Sequence, residues 1–176
     1  TLSCGLISVL GGKWTTCRPM ALDTLAAVER QLGRTLPPAI SMPLLGSADI
    51  TASIAPGLRD QARRLQDLLP DSPLQAAQIA HLQHNHGLQA LPLIEGASGK
   101  ELEPLSAVIP VCKAELRHGI RSEHARSSSD VLARRCRLAM VDHEEAERLR
   151  PIVDTLFDEE GVNTQPKEAI NLSFNA

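Results

Sequence analysis

The chain has 176 residues, 43% of them hydrophobic, and its 18 Lys and Arg against 21 Asp and Glu leave a net charge of -3. That length and apolar content suffice for one good core, while the near balance of charge gives no long-range pull toward nucleic acid or an anionic membrane. One Trp, two Phe and no Tyr leave almost no surface on which bases, sugars or peptides could stack, so the core must be built from Leu, Ala, Ile and Val, a palette that favours helices.

Cys4, Cys17, Cys112 and Cys136 are scattered without a C-x-x-C pair and read as reduced thiols. No apolar run approaches the roughly 18 to 20 residues of a membrane span, and nothing at the start resembles a signal peptide. The chain opens at Thr1 directly into an apolar run, from which upstream sequence is expected.

The run Cys4 to Leu10, ending at Gly11-Gly12, has the pattern of a buried strand closing into a tight turn. A helix is expected next, capped by Thr15 or Thr16 because Pro19 is tolerated only in a first turn, with Met20, Leu25, Val28 and Leu32 on one face and Gly33 as its stop. Residues 34–57 carry four prolines and no sustained period, which predicts a connector. The spacing of Leu58, Ala62 and Leu65 predicts a helix over 58–69, and Ser72-Pro73 predicts the start of another that reaches His86 before Gly87. Residues 88–110 read as loops and short pieces. A helix is expected over 111–121 with Ala114, Leu116 and Ile120 inward, and another over 130–140 behind a capping box of Ser127 and Asp130. Asp142 and Glu145 repeat that device for the last helices, which Pro151 should split or kink. The polar tail, 161–176, is expected to be loosely held.

The junction from Leu10 to Thr16 carries the most chemistry. A helix start offers unpaired amide donors and about half a positive charge, two glycines admit a ligand close to the backbone, and Lys13 adds a full charge, so the place suits an anion or a group that becomes one. Other constellations are weaker. Arg117, Arg121, Arg126, Arg134, Arg135 and Arg137 make a basic stretch that Glu115, Glu123 and Asp130 are placed to neutralise. His81, His84 and His86 do not share one helix face and have no Cys or carboxylate at ligand spacing, so no metal is expected. Gly96 to Lys100 has the wrong glycine spacing for a phosphate loop, and Glu101 stands where a magnesium-binding hydroxyl belongs.

Two blocks nevertheless resemble a known family. Gly11-Gly-Lys-Trp-Thr-Thr-Cys-Arg18, preceded by Gly5-Leu-Ile-Ser-Val-Leu10 and followed by Met20-Ala-Leu-Asp-Thr24, is similar to the G-G-K-W-T-T-Y-R-x-M-A-x-D-T segment of FAD-dependent glycerol-3-phosphate dehydrogenases. Ala114-Glu115, Gly119-Ile-Arg121, Glu123, Ala125 and Asp130-Val-Leu-Ala-Arg-Arg-Cys-Arg-Leu138 resemble that family's R-x-E-x-A-x-T-x-x-D-V-L-A-R-R-T-R-L signature. The resemblance covers residues 2–160, with 34–110 matching in outline. It departs at Cys17, where the family has Tyr, at Ser127 and Cys136, where it has Thr, and at Pro19; Cys17 is expected to fill its site as a small buried thiol.

The resemblance implies a mainly α chain: residues 1–33 as the last strand and helix of an FAD-binding domain, 34–57 as connector, 58–160 as a helical carboxy-terminal domain, and 161–176 as tail. It implies that Gly11, Gly12, Lys13, Trp14 and Thr15 lie at the pyrimidine edge of FAD, with Lys13 as the catalytic residue facing glycerol 3-phosphate. It further implies oxidation of sn-glycerol 3-phosphate to dihydroxyacetone phosphate with electrons passing to quinone, and peripheral attachment to the inner mitochondrial membrane in a eukaryote or the plasma membrane in a bacterium. No G-x-G-x-x-G fingerprint is present to hold the FAD pyrophosphate, so this stretch alone is expected neither to retain FAD nor to turn over substrate. Two alternatives stay open: a glycerophosphate oxidase that uses oxygen, and a non-catalytic helical interaction module, in which the apolar edge of residues 1–18 pairs a homodimer.

Overall fold

The computed structural model of the chain describes residues 5–49, 52–68 and 74–162, so Cys4, Ser72, Pro73 and residues 163–176 of the expected tail lie outside the described residues. Two compact units divide between Met42 and Pro43, inside the proline-rich stretch. Among the described residues every regular element is helical, as the Leu- and Ala-rich palette implies.

In the first unit, residues 5–10 form neither helix nor ladder. The expected strand is therefore absent as a hydrogen-bonded element over 5–10: a strand exists by pairing, and no described segment pairs with it. The segment is held by the Gln31 side-chain amide, which donates to the Gly5 carbonyl at 2.7 Å. Helix α1 spans Cys17–Leu32 behind a 3₁₀ turn at Trp14–Thr16, with Thr16 at its N-cap and Gly33 as a left-handed C-cap. Its start and stop are those expected. Its apolar face is not buried, since Leu25 and Leu32 are 42% and 54% exposed; one helix beside one extended segment offers no second layer to cover it.

The second unit is a helical bundle. Helix α2, Ala55–Asp67, begins three residues before the expected start because Pro56 occupies its first turn, where a missing N–H costs nothing. Helix α3, Ala76–His86, starts later than Ser72-Pro73 suggest and ends at Gly87 as expected. Short helices α4, Ala90–Ile94, and α5, Gly99–Leu102, follow. The stretch that superficially matches a phosphate loop is the N-cap of α5, where the Ser98 N–H donates to the Glu101 carboxylate at 3.2 Å. Leu65, Leu74, Ile79, Leu82, Ile94 and Leu102 make one core cluster.

Helix α6, Lys113–Arg121, joins that cluster through Ala114 and a second one through Leu116 and Ile120. The single helix expected over 130–140 is two. A wide π turn, Asp130–Arg135, closes with Cys136 N–H donating to the Val131 carbonyl at 3.0 Å, Arg137 turns left-handed at φ 60°, and α7, Leu138–Val141, restarts. The break lets Val131, Leu132, Ala133, Leu138 and Ala139 all reach the core, which one straight helix would not. The Ser127–Asp130 cap forms as expected, Ser127 Oγ accepting from the Asp130 N–H at 3.1 Å.

Helix α8, His143–Glu159, runs unbroken through Pro151. Leu149 and Val153, fully buried on either side of it, with Leu156 and Phe157 beyond, offset a proline cost of about 3 kcal/mol. Asp142 caps α8 by accepting from the Glu145 N–H at 3.0 Å. Asp142→Ala should lower stability by about 1 kcal/mol in urea unfolding, with no change in the slope.

Two glycines fix where α3 ends. The Gly46 carbonyl accepts from the Leu88 N–H at 2.8 Å, and a Cβ on Gly87, which sits at φ 55°, would fall 2.2 Å from that same Gly46 oxygen. Gly87→Ala therefore has to strain its own backbone and push the two main chains apart at once. Urea unfolding should show a loss of more than about 2 kcal/mol.

Candidate functional site

In the first unit the turn before α1 is built by its own hydrogen bonds. The Lys13 N–H donates to Thr16 Oγ1 at 3.1 Å, and that hydroxyl donates back to the Lys13 carbonyl at 2.9 Å. Lys13 is held extended, and the amides of Trp14 and Thr15 find no protein acceptor among the described residues. Gly12 needs its missing side chain twice, at φ 100° and with Met20 Sδ 2.1 Å from where a Cβ would stand; Gly11, at φ 77°, has open space there. Gly11, Gly12, Lys13, Trp14, Cys17 and Met20 line one groove of about 340 Å³. Of the five residues singled out from sequence, Thr15 does not line it.

The Lys13 ammonium is exposed and makes no ion pair among the described residues, and Trp14 is 90% exposed. Unpaired amide donors, an uncompensated cation and an open glycine make this a place for a developing negative charge. Cys17 is exposed, against the expectation of a buried thiol, because the groove is open on its side.

In the second unit a polar cluster forms where α3 and α6 face each other. Glu115 is 5% exposed. Its carboxylate meets His81 Nε2 at 2.9 Å and 3.0 Å, His86 Nε2 at 2.9 Å and Asn85 Nδ2 at 3.4 Å. Burial alone would raise its pKa, but the hydrogen bonds and charge of His81 and His86 outweigh it and hold the carboxyl at about 2. This corrects the assignment of Glu115 as an arginine partner. Spacing along an ideal helix misses the pair because His86 sits at the unwinding end of α3, at φ −119° and ψ −4°, and because one carboxylate presents two oxygens.

Among the described residues, four of the six arginines are neutralised, two of them by the expected Asp130 and Glu123 and two by other carboxylates. Arg117 meets Glu101, Glu159 and Glu160; Arg121 meets Glu160; Arg134 meets Asp130; and Arg135 meets Glu123. Cys112 and Cys136 are buried free thiols whose pKa burial pushes up to about 11, which keeps them protonated and unreactive at neutral pH. No helix among the described residues is long and apolar enough to cross a membrane.

Comparison with known proteins supports the family resemblance. The chain is 31% identical over 84% of its length to a protein of Dictyostelium discoideum described as a probable mitochondrial glycerol-3-phosphate dehydrogenase, covering 22% of that protein. It is 32% identical over 88% of its length to a mitochondrial glycerol-3-phosphate dehydrogenase of Arabidopsis thaliana, covering 26% of it, and 31% identical over 89% of its length to the human one, covering 21%. The chain thus spans about a quarter of the length of these curated relatives. No solved structure matches it. Residues 39–166 match the family described as the C-terminal domain of alpha-glycerophosphate oxidase, and the chain belongs to that family.

Proposed function

We propose that this chain is the carboxy-terminal portion of a flavoenzyme that oxidises sn-glycerol 3-phosphate to dihydroxyacetone phosphate and passes the electrons to quinone at a membrane surface. The observation that carries the reading is the Gly11–Thr15 turn, with its unbonded Trp14 and Thr15 amides beside an unpaired Lys13, in a chain whose relatives are named for that dehydrogenation. The donor set fits the pyrimidine edge of a flavin, which needs hydrogen-bond donors and positive charge and nothing acidic. When bound, FAD supplies the hydride acceptor for C2 of the substrate. Gly11 and Gly12 let the isoalloxazine approach the main chain, Trp14 and Thr15 donate amides to the edge where charge collects, and Lys13 holds the substrate oxygen or phosphate against it.

A second reading has its own support, since the matching family is named for an oxidase. There the same turn serves the same substrate and oxygen takes the electrons. The test is made on the full-length protein containing this chain: bound flavin by absorbance, glycerol-3-phosphate-dependent dye reduction, and oxygen uptake with peroxide release. Bound flavin with dye reduction and little peroxide supports the dehydrogenase; stoichiometric peroxide transfers the assignment to the oxidase. A flavin-free, inactive protein overturns both and leaves the helical interaction module.

A further inference from the structure

We infer that His86, His118 and Glu123 form a site for one divalent transition-metal ion of the zinc class, with Glu115 as the buried carboxylate that orients His86 toward it. One donor atom from each of the three lies within 4.8 Å of the others, and all three side chains are half-buried. The rings of His86 and His118 meet edge to face, 84° apart in plane with centroids 5.7 Å apart, which lets a nitrogen of each converge on one point without stacking.

Glu115 supplies the independent observation. His86 Nε2 lies 2.9 Å from Glu115 Oε1; in the Nε2–H tautomer that N–H donates to the ionised carboxylate and Nδ1 keeps its lone pair. That is the carboxylate–histidine arrangement that fixes tautomer and ring orientation at metal centres. Two imidazoles and one carboxylate are a borderline donor set, suited to zinc over calcium or magnesium, with further positions left for water. Bonds of about 2.0–2.1 Å require donors about 3.4 Å apart, so binding would draw the three side chains in from the 4.8 Å within which they now lie. Arg135 opposes a cation from 3.4 Å on one Glu123 oxygen, but its guanidinium is also anchored on the Glu123 main-chain oxygen at 2.7 Å, leaving the second carboxylate oxygen to the metal. The histidines belong to α3 and α6 and the carboxylate to the loop after α6, so no linear spacing announces the set.

The test is titration of the full 176-residue chain with Co²⁺, read by its visible ligand-field absorption, and with Zn²⁺, read by calorimetry. One saturable site is expected, with low-coordinate cobalt bands. His118→Ala and Glu123→Gln should each weaken it roughly tenfold or more, and Glu115→Gln, which touches no metal, by about tenfold. His84→Ala, which changes a nearby histidine outside the set, should leave it unchanged. Glu123→Gln is nearly isosteric, and thermal melts confirm that each variant is folded. Absence of a saturable site, equal binding by wild type and His118→Ala, or loss on His84→Ala would overturn the assignment.

Discussion

Lys13→Ala in the full-length flavoenzyme should lower the rate of flavin reduction by glycerol 3-phosphate about 100-fold, ~2.7 kcal/mol of transition-state stabilisation, while leaving the flavin bound. The separation follows from the geometry. Lys13 makes no ion pair among the described residues, so its removal orphans no partner, and the turn is closed by Thr16 bonding to Lys13 main-chain atoms that alanine retains. Stopped-flow reduction under anaerobic conditions reads the step directly, and the ratio of flavin to protein reports binding. Lys13→Arg, which keeps the charge at a different reach, should recover some of the rate, and Lys13→Gln should recover little. A normal reduction rate in Lys13→Ala would remove the residue from the chemistry and leave the amides of Trp14 and Thr15 as the donors.

Much of the helical architecture is legible from local rules. Thr16, Gly33, Gly87, Ser127 and Asp142 act through the nearest turn of chain, and all five mark the boundaries that such rules assign them. Misreadings arise where distant segments decide. Residues 5–10 carry a strand's composition, but a strand is a relation between segments. The helix over 130–140 breaks at Arg137 because burying Leu132 and Leu138 together outweighs continuity, and Pro151 stays inside α8 for the same kind of reason.

The turn at Gly11 is contiguous in sequence, so its chemistry can be read there. The Glu115 cluster joins residues more than twenty-five positions apart, and only Glu115's burial against the end of α3 reveals it. A glutamate among arginines on an amphipathic helix reads as a surface ion pair. Its place on the buried face beside Ala114 and Leu116 is the signal that could have shown otherwise.

Glu115→Ala should destabilise the chain by about 3–5 kcal/mol in urea unfolding, because it removes the acceptor shared by His81 and His86 and leaves a void between α3 and α6. Glu115→Gln separates charge from packing and sets the pH test. The native carboxyl sits at about 2 against 4.5 for the free group, so on acidification the unfolded chain takes up this proton first. The stabilisation is therefore complete above pH 4.5 and is lost as pH falls toward 2, by at most about 3 kcal/mol. Glu101, Asp130, Glu147 and Glu160 are also lowered, and Glu145 is held at about 2, so wild type alone would show acid sensitivity from many sources. The difference between wild type and Glu115→Gln isolates one. It should shrink steadily between pH 4.5 and 2, and a constant difference across that window would mean that the histidines do not hold the carboxylate ionised.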